Sequence, residues 1–376
     1  MVKNSEVIVQ IVPGVPGTQD GVGDYALTIA RKLRDVYGCD PLFAAAKTVG
    51  EADRFPDKSA EFDVVPLIDI VSPAAPFHHV ILHYVNYGYH KRGIPFWLLS
   101  VLEKLRQRPL FLLTIFHELY ASGPPWKSEF WLRPFQIRIA KSISRASDAC
   151  LVSSDTMRRQ LKHLTPNARI RVHPVFSNFG EPSISSDQLS NRSPNRWVIC
   201  GGTALVERSV RSLQTIINRI PKEISPRELF VIGGNENPVT RCLLAGLPNI
   251  RIEYHPQISA AEASQILSSC SFAWLDYFHR TDVPTDIILK SSVFAAACAH
   301  GVIPVFPHQG SAIFVDTDRL SGPFFVSQTD SEVPGIDDRP KVSAEIYNWY
   351  QRNAASDHLV REIADTLELN TTFAGQ

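Results

Sequence analysis

Val7-Ile8-Val9-Gln10-Ile11-Val12, then Pro13-Gly14-Val15-Pro16-Gly17-Thr18-Gln19-Asp20-Gly21-Val22-Gly23-Asp24, then Tyr25 to Tyr37 form the stretch that decides the fold. The first run is short, apolar and β-branched, as a buried strand of a parallel sheet should be. The second is a glycine-rich loop. In the third, Ala26, Ile29, Ala30, Leu33 and Val36 fall at helical spacing and give one buried stripe. A strand, a glycine loop and a helix leave backbone N–H groups and a positive helix end facing a crevice. Glycine suits such a loop because a residue without Cβ lets the backbone approach a ligand closely.

Gly21-Val22-Gly23-Asp24-Tyr25-Ala26 nearly spells a dinucleotide fingerprint. In that fingerprint the first glycine directly follows the strand, and an acid closes the next strand. Here eight residues separate Val12 from Gly21, and the second strand, Leu42 to Ala46, ends at Lys47. A nicotinamide or flavin site is therefore disfavoured, and a ligand-free structural turn is the plainer alternative.

The chain has 376 residues, enough for about two domains with separate cores. Its formal charge is zero, yet the halves differ. Residues 1–180 carry 22 Lys/Arg against 16 Asp/Glu, and residues 181–376 carry 16 against 22. Between Lys91 and Arg171 the ratio is 15 to 5, a bias that calls for an anionic partner such as a membrane surface or a phosphate-bearing acceptor. Nucleic acid is disfavoured, because zero net charge and few clustered aromatics offer no stacking groove. Cys39, Cys150, Cys200, Cys242, Cys270 and Cys298 are scattered without paired spacing and read as buried thiols of a reducing cytosol. The sequence opens almost on a strand, without signal-peptide features, and no apolar run is long enough to span a membrane. A cytoplasmic protein, peripheral at the inner face of the membrane through its basic half, is expected.

Strand patterns at Pro41–Ala46, Phe62–Pro66, Val80–Val85, Leu110–Phe116, Ala149–Ser153 and Ile170–Val175 alternate with helical ones at Pro95–Arg106, Glu129–Ser147 and Asp155–His163. Such alternation predicts a parallel sheet covered on both faces. Its ligands would bind at the strands' carboxyl ends, which directs attention to His83, Asn86, His117 and Glu118. Glu129–Ser147 pairs Trp131, Phe135, Ile139 and Ile143 with Arg133, Arg138, Lys141 and Arg145. It reads as an amphipathic helix whose cations are either simply solvated or face a membrane.

Ser177 to Asn195 is rich in Ser, Pro and Asn and reads as a linker. The pattern then restarts. Trp197–Cys200 leads into Gly201-Gly202-Thr203 and a helical stripe from Val206 to Ile220, and Leu229–Ile232 leads into Gly233-Gly234-Asn235. Ile250–Tyr254 is a strand, and Ser259-Ala260-Ala261-Glu262 has capping-box spacing. Phe272–Tyr277 is a strand whose Asp276 either touches ligand or starts a turn. A helix is expected from about Asp286 to His300, strands at Val302–Phe306 and Pro323–Val326, and a helical tail from Glu345 to Leu369. Arg208 and Lys290 supply cations where a diphosphate leaving group would gather charge, together with helix ends and without a metal. His300 is read as a helix-terminal residue favourable to the dipole, and Asp24 as a cap of the helix that follows it.

Gly21-Val22-Gly23-Asp24-Tyr25, Phe116-His117-Glu118, Arg145-Ala146-Ser147-Asp148 before Leu151-Val152-Ser153-Ser154, Ile232-Gly233-Gly234, Ser259–Leu267 and Ala299-His300-Gly301-Val302-Ile303-Pro304-Val305 together resemble the GT-B-fold glycosyltransferases of the family 4 kind. The resemblance covers about residues 7–310. It implies an α/β fold of two doubly wound Rossmann-like domains facing a central cleft, and transfer of a sugar from a nucleotide-sugar donor to a glycan or lipid-linked acceptor in polysaccharide or glycoconjugate synthesis. On that pattern residues 1–178 form the acceptor-side domain, 179–196 the linker, 197–345 the donor domain, and 346–376 a helical tail packing back on the first domain. His117 and Asp24 would be catalytic. Gly21, Gly23, Arg208, Gly233, Gly234, Asn235, Asp286, Lys290, Ser291 and Ser292 would hold the donor, with His83, Asn86 and Glu118 on the acceptor side.

No cofactor beyond the nucleotide sugar is implied. No Asp-x-Asp cluster is read in an obvious loop, so metal independence is expected. The family's two glutamates, eight positions apart, would fall on Ile288 and Ala296, which are not acidic. Asp282 or Asp286 is expected to stand in for the first, and Lys290-Ser291-Ser292 for the second. Retention of configuration is the family expectation, and an inverting route with Asp24 or His117 as base stays open. The same departure leaves two other functions, a non-catalytic partner subunit and a sugar-nucleotide epimerase.

Overall fold

The computed structural model describes residues 6–16, 21–46, 61–72, 76–121, 126–278 and 283–369. Gly17 to Asp20, Lys47, Thr281 and Asp282, which the sequence singled out, lie outside the described residues. Two compact units emerge, one from Met1–His173 with Ser356–Gln376 and one from Pro174–Ala355.

The first unit runs β1 (Val7–Val12), α1 (Gly21–Tyr37), β2 (Asp40–Ala45), β3 (Val64–Pro66), β4 (His79–Tyr84), α2 (Asn86–Tyr89), α3 (Phe96–Leu105), β5 (Phe111–Phe116), α4 (Ser128–Ala146), β6 (Ala149–Val152), α5 (Asp155–Leu164) and β7 (Ile170–Val172). Its strands lie in the order β3-β2-β1-β4-β5-β6-β7. All pair in parallel. Their runs are apolar on both faces because helices cover both. Chain direction across the sheet reverses between β1 and β4, so the crevice outside their carboxyl ends is where such a sheet takes a ligand.

The second unit repeats the plan. It comprises α6 (Ser186–Ser190), β8 (Arg196–Cys200), α7 (Thr203–Ile216), β9 (Glu228–Ile232), α8 (Pro238–Ala245), β10 (Arg251–His255), α9 (Ala260–Ser269), β11 (Phe272–Trp274), α10 (Ser292–Ala299), β12 (Ile303–Phe306), the hairpin β13 (Phe314–Val315) and β14 (Asp318–Arg319), β15 (Phe324–Val326), β16 (Ser331–Glu332) and α11 (Arg339–Asn353). The order β10-β9-β8-β11-β12-β15-β16 puts the reversal between β8 and β11. Trp197 stacks on Phe272 at 4.8 Å in the core. Its indole N–H donates to the Ile224 carbonyl at 2.7 Å, so burial leaves no polar group unpaired there. Ser259 and Glu262 make both bonds of the capping box that opens α9.

Several boundaries differ from those the sequence suggested. Gly21 and Gly23 are not in a loop: they form the first turn of α1, which starts four residues before Tyr25. Asp24 is consequently inside that turn, where its carboxylate favours the helix dipole without being the cap. The helix expected at Asp286–His300 is broken, with a 3-10 turn over Thr285–Lys290 and α10 restarting behind the Ser291 cap. The linker expected at 179–196 contains α6, fixed by its own capping box, and belongs to the second unit. Arg339 donates to the Leu189 and Ser190 carbonyls and so ties this stretch to α11. The tail is two helices. α11 stays in the second unit, and α12 (Ser356–Thr366) belongs to the first, packed on α1 with Leu359, Val360, Ile363 and Ala364 buried.

Candidate functional site

At the β1/β4 reversal of the first unit a chain of polar side chains is sunk among apolar strands. Gln10 sits mid-strand on β1, fully buried. Its Oε1 lies 2.8 Å from Nε2 of buried His83, on β4. His83 Nδ1 lies 3.3 Å from Nε2 of His117, the residue after β5. An amide oxygen only accepts, so His83 donates from Nε2 and accepts at Nδ1, and His117 donates from Nε2. His117 is left with its Nδ1 lone pair as the remaining hydrogen-bonding position. Burial holds His83 well below the ordinary histidine range and pushes His117 down to about 4. Both are neutral at pH 7, since a charged imidazole loses its hydration here.

Tyr25, on α1, packs edge-on against His117 at 4.9 Å and against His83 at 6.1 Å, which fixes the His117 ring. Burial, reinforced by the Glu362 carboxylate, raises its phenol, so it stays protonated. Tyr89 on α2 donates to the carbonyls of Ile11 and His83. Asn86 is buried; its Oδ1 accepts from the Tyr87 N–H at 2.8 Å, and its Nδ2 is an unpartnered donor among the described residues. Glu118 is half-buried beside Tyr84 and raises that phenol. Asp24 is exposed on the first turn of α1. Of the strand-end residues singled out from the sequence, His83 and His117 meet directly, and Asn86 is buried at the start of α2. Gln10, Tyr25 and Tyr89 were not singled out as site residues, although a polar residue inside the run Val7–Val12 is itself a signal, because a buried amide needs a partner.

The second unit's reversal is built from glycine and arginine. Gly201 (φ +140°), Gly233 (φ +88°) and Gly234 (φ +72°) follow the ends of β8 and β9. A Cβ on Gly233 would stand 2.7 Å from the Gly201 carbonyl oxygen, and one on Gly234 would stand 3.1 Å from Thr203 Cα. No side chain fits between these turns. Thr203 opens α7 and accepts from the Asn235 N–H at 2.9 Å, pinning the second turn to the first helix end. Beside them a cavity of about 490 Å³ is lined by Tyr254, His255, Gln257, Glu262 and Gln265.

Arg208 lies in the second turn of α7, not at its start. Its Nε donates to the Asp276 carbonyl at 2.6 Å, with the Asp276 carboxylate 3.7 Å away. Desolvation lowers its guanidinium somewhat, and Asp276 opposes that shift. Asp276, left open by the sequence between ligand contact and turn, is this arginine's anchor. Lys290 ends the 3-10 turn and is half-buried, as is Asp286 within it. Ser291 caps α10, accepting from Phe294 N–H, and Ser292 is the first residue of that helix. Ile288 and Ala296, where glutamates were to be counted, are fully buried core residues. Thr285 Oγ1 accepts from the Ser311 N–H at 2.9 Å and closes the turn against the segment after β12.

Two expectations are corrected here. His300 does end α10, as its C-cap, but it is not charged: its Nδ1 donates to the Ala296 carbonyl, its Nε2 bonds Ser264, and burial pushes it down to about 4. The sequence does contain an Asp-x-Asp run, Asp316-Thr317-Asp318, in the β13/β14 hairpin. Asp318 is spent on structure, accepting from Arg352 and Asn353. Among the described residues no helix is long and apolar enough to cross a membrane.

No protein-family model matches the sequence, and no curated protein matches it. Solved structures do resemble it. The chain is similar to the N-terminal domain of a trehalose-6-phosphate phosphatase from Candida albicans, with a TM-score of 0.60 and 10% identity over 98% of each chain. It is similar to an α,α-trehalose 6-phosphate synthase from Burkholderia multivorans, with a TM-score of 0.59 and 11% identity over 97% of this chain and 96% of that one. A third, an α-glucosyltransferase in complex with UDP-glucose and DNA containing an abasic site, gives 0.56 and 12% over 96% and 99%. At such identities the likeness is one of fold. The chain has the α/β architecture of two Rossmann-like units that characterises the GT-B class.

Proposed function

We propose that this protein is a glycosyltransferase that moves a sugar from a nucleotide-sugar donor to an acceptor, without a catalytic metal and with retention. The observation that carries this reading is that each sheet's switch point bears one half of the required chemistry. In the second unit the glycine turns and the amino ends of α7 and α10 present backbone N–H groups to a diphosphate. Arg208, preset by Asp276, and Lys290 add fixed positive charge where the leaving group becomes more anionic. The cavity beside Gly233 and Gly234 has the size and polar lining for a nucleoside.

In the first unit His117 offers a sugar hydroxyl a neutral, oriented imidazole. With a pKa near 4 it is a poor general base at pH 7 and acts by hydrogen bonding. If the route inverts configuration, Asp24, an exposed carboxylate on the first turn of α1, would move the proton. The nucleotide is expected to bind mainly through the second unit and the acceptor through the first.

A membrane-displayed acceptor is supported by the first unit's surface. Trp126 is 83% exposed and Trp131 68%, with Phe96, Trp97, Phe130 and Phe135 also exposed on or beside α3 and α4. Exposed Arg133, Arg138 and Arg145 share α4 with them. Aromatics flanked by cations suit the interface of an anionic bilayer. Arg138→Glu with Lys141→Glu should weaken sedimentation with anionic vesicles, and unchanged binding would remove this element.

Calorimetry with nucleoside diphosphates, followed by a donor panel scored for diphosphate release, tests the central reading. Binding lost in Arg208→Ala and turnover with at least one donor are expected. The buried Ile288 and Ala296 favour one alternative, a non-catalytic partner subunit. A well-folded chain that binds no nucleoside diphosphate would replace the enzyme with that alternative.

A further inference from the structure

We propose that His173, His358 and Glu362 form a zinc-type divalent metal site that clips α12 to the end of β7. Their ligand atoms lie within 4.8 Å of one another. His358 and Glu362 stand one helical turn apart on α12, a spacing that puts both side chains on one face. His173 directly follows β7 and is 4% exposed. Its ring stacks on His358 at 5.4 Å.

His358 Nδ1 is buried and has no hydrogen-bond partner among the described residues. That nitrogen stands within ligand distance of the other two residues and is open to a metal. A buried nitrogen without a partner costs free energy that a metal bond would recover. Two imidazoles and one carboxylate are the donor set of zinc sites that keep a fourth position for water. Nitrogen donors select zinc, cobalt or nickel over magnesium and calcium.

Tetrahedral bonds of 2.0–2.1 Å set ligand atoms about 3.4 Å apart. Small side-chain rotations from the present spacing close that difference. Glu362 also meets Arg171 at 3.5 Å, a long contact to a side chain that is 42% exposed. Arg171 can turn to water as the metal takes the carboxylate. The two ligand-bearing segments are separated by the whole second unit in sequence. A bond between them therefore removes far more freedom from the unfolded chain than from the folded one.

The full chain, stripped with a chelator and dialysed, is titrated with zinc chloride and with magnesium chloride by calorimetry. One zinc per chain and a raised thermal midpoint are expected, with magnesium giving neither. Loss of an outer-shell partner alone costs about 10–100-fold in metal affinity. His358→Ala and Glu362→Gln, each checked by circular dichroism, should therefore weaken zinc by at least about tenfold. Cobalt should give a visible tetrahedral spectrum that His358→Ala abolishes. If His358→Ala does not fold, His358→Gln and Glu362→Gln carry the same expectation. Absence of zinc binding in the parent, or equal binding in the variants, overturns the site, since the latter would place zinc on others of the 12 histidines.

Discussion

His83, His117 and His300 are neutral because the water that would hydrate an imidazolium is missing around them. An unfolded histidine titrates near 6.5, so on acidification the unfolded chain takes up the proton first. The stability these residues lend is complete above about pH 7 and is lost as pH falls from 6.5 towards their folded values. For His300, lowered to about 4, the loss by pH 5 is about 2 kcal/mol. Urea denaturation at pH 7.5 and pH 5.0 should show that drop, and His300→Gln should remove a comparable share of it. An undiminished pH difference in the variant would contradict the buried neutral imidazole. His117→Ala should lower kcat by about tenfold or more, the worth of a hydrogen bond made in the transition state. Because the imidazole titrates near 4, the pH profile of kcat should carry no His117 inflection between pH 6 and 8.

The turns after β8 and β9 set the donor side. Gly233→Ala forces a Cβ to within 2.7 Å of the Gly201 carbonyl, at a φ of +88° that L side chains avoid. A cost of about 1–3 kcal/mol and loss of nucleoside-diphosphate binding are expected, read by thermal denaturation and calorimetry. Gly202→Ala has open space and a φ of −68°, so it serves as the control that folds normally. On α7, Arg208→Lys keeps the charge but loses the fixed fork that Asp276 aims. Diphosphate affinity should still fall by about tenfold, and parent-like affinity would show that bare charge suffices.

Two cores support the molecule, and the first depends on the chain's last described helix. Leu359, Val360, Ile363 and Ala364 are buried there, Leu367 is buried just after it, and Lys32 pairs with Asp357. Leu359→Ala and Ile363→Ala should each cost about 2–5 kcal/mol. Scanning calorimetry should show the loss in a transition of the first unit, while one from the second unit moves little. Matched shifts in both transitions would mean that the units unfold together.

Most of this architecture could be read from residues alone, because a buried parallel strand must be apolar throughout and a covering helix must carry a stripe. Val7–Val12, Phe111–Phe116 and Trp197–Cys200 meet those conditions wherever they fold. Gly201, Gly233 and Gly234 were also legible, since strand ends that turn sharply need residues without Cβ. Other features depend on partners distant in sequence. The helix start at Gly21, the break at Ser291 and the division between α11 and α12 follow from packing and capping, which local spacing does not encode. Gln10 bonding His83, Asp276 holding Arg208, and His173 meeting His358 join residues from separate strands and helices. Composition and periodicity fixed which segments could be strands or helices. Only the folded chain decided which side chains meet, because hydrogen bonds and metal ligation act over a few ångströms in space whatever the distance along the sequence.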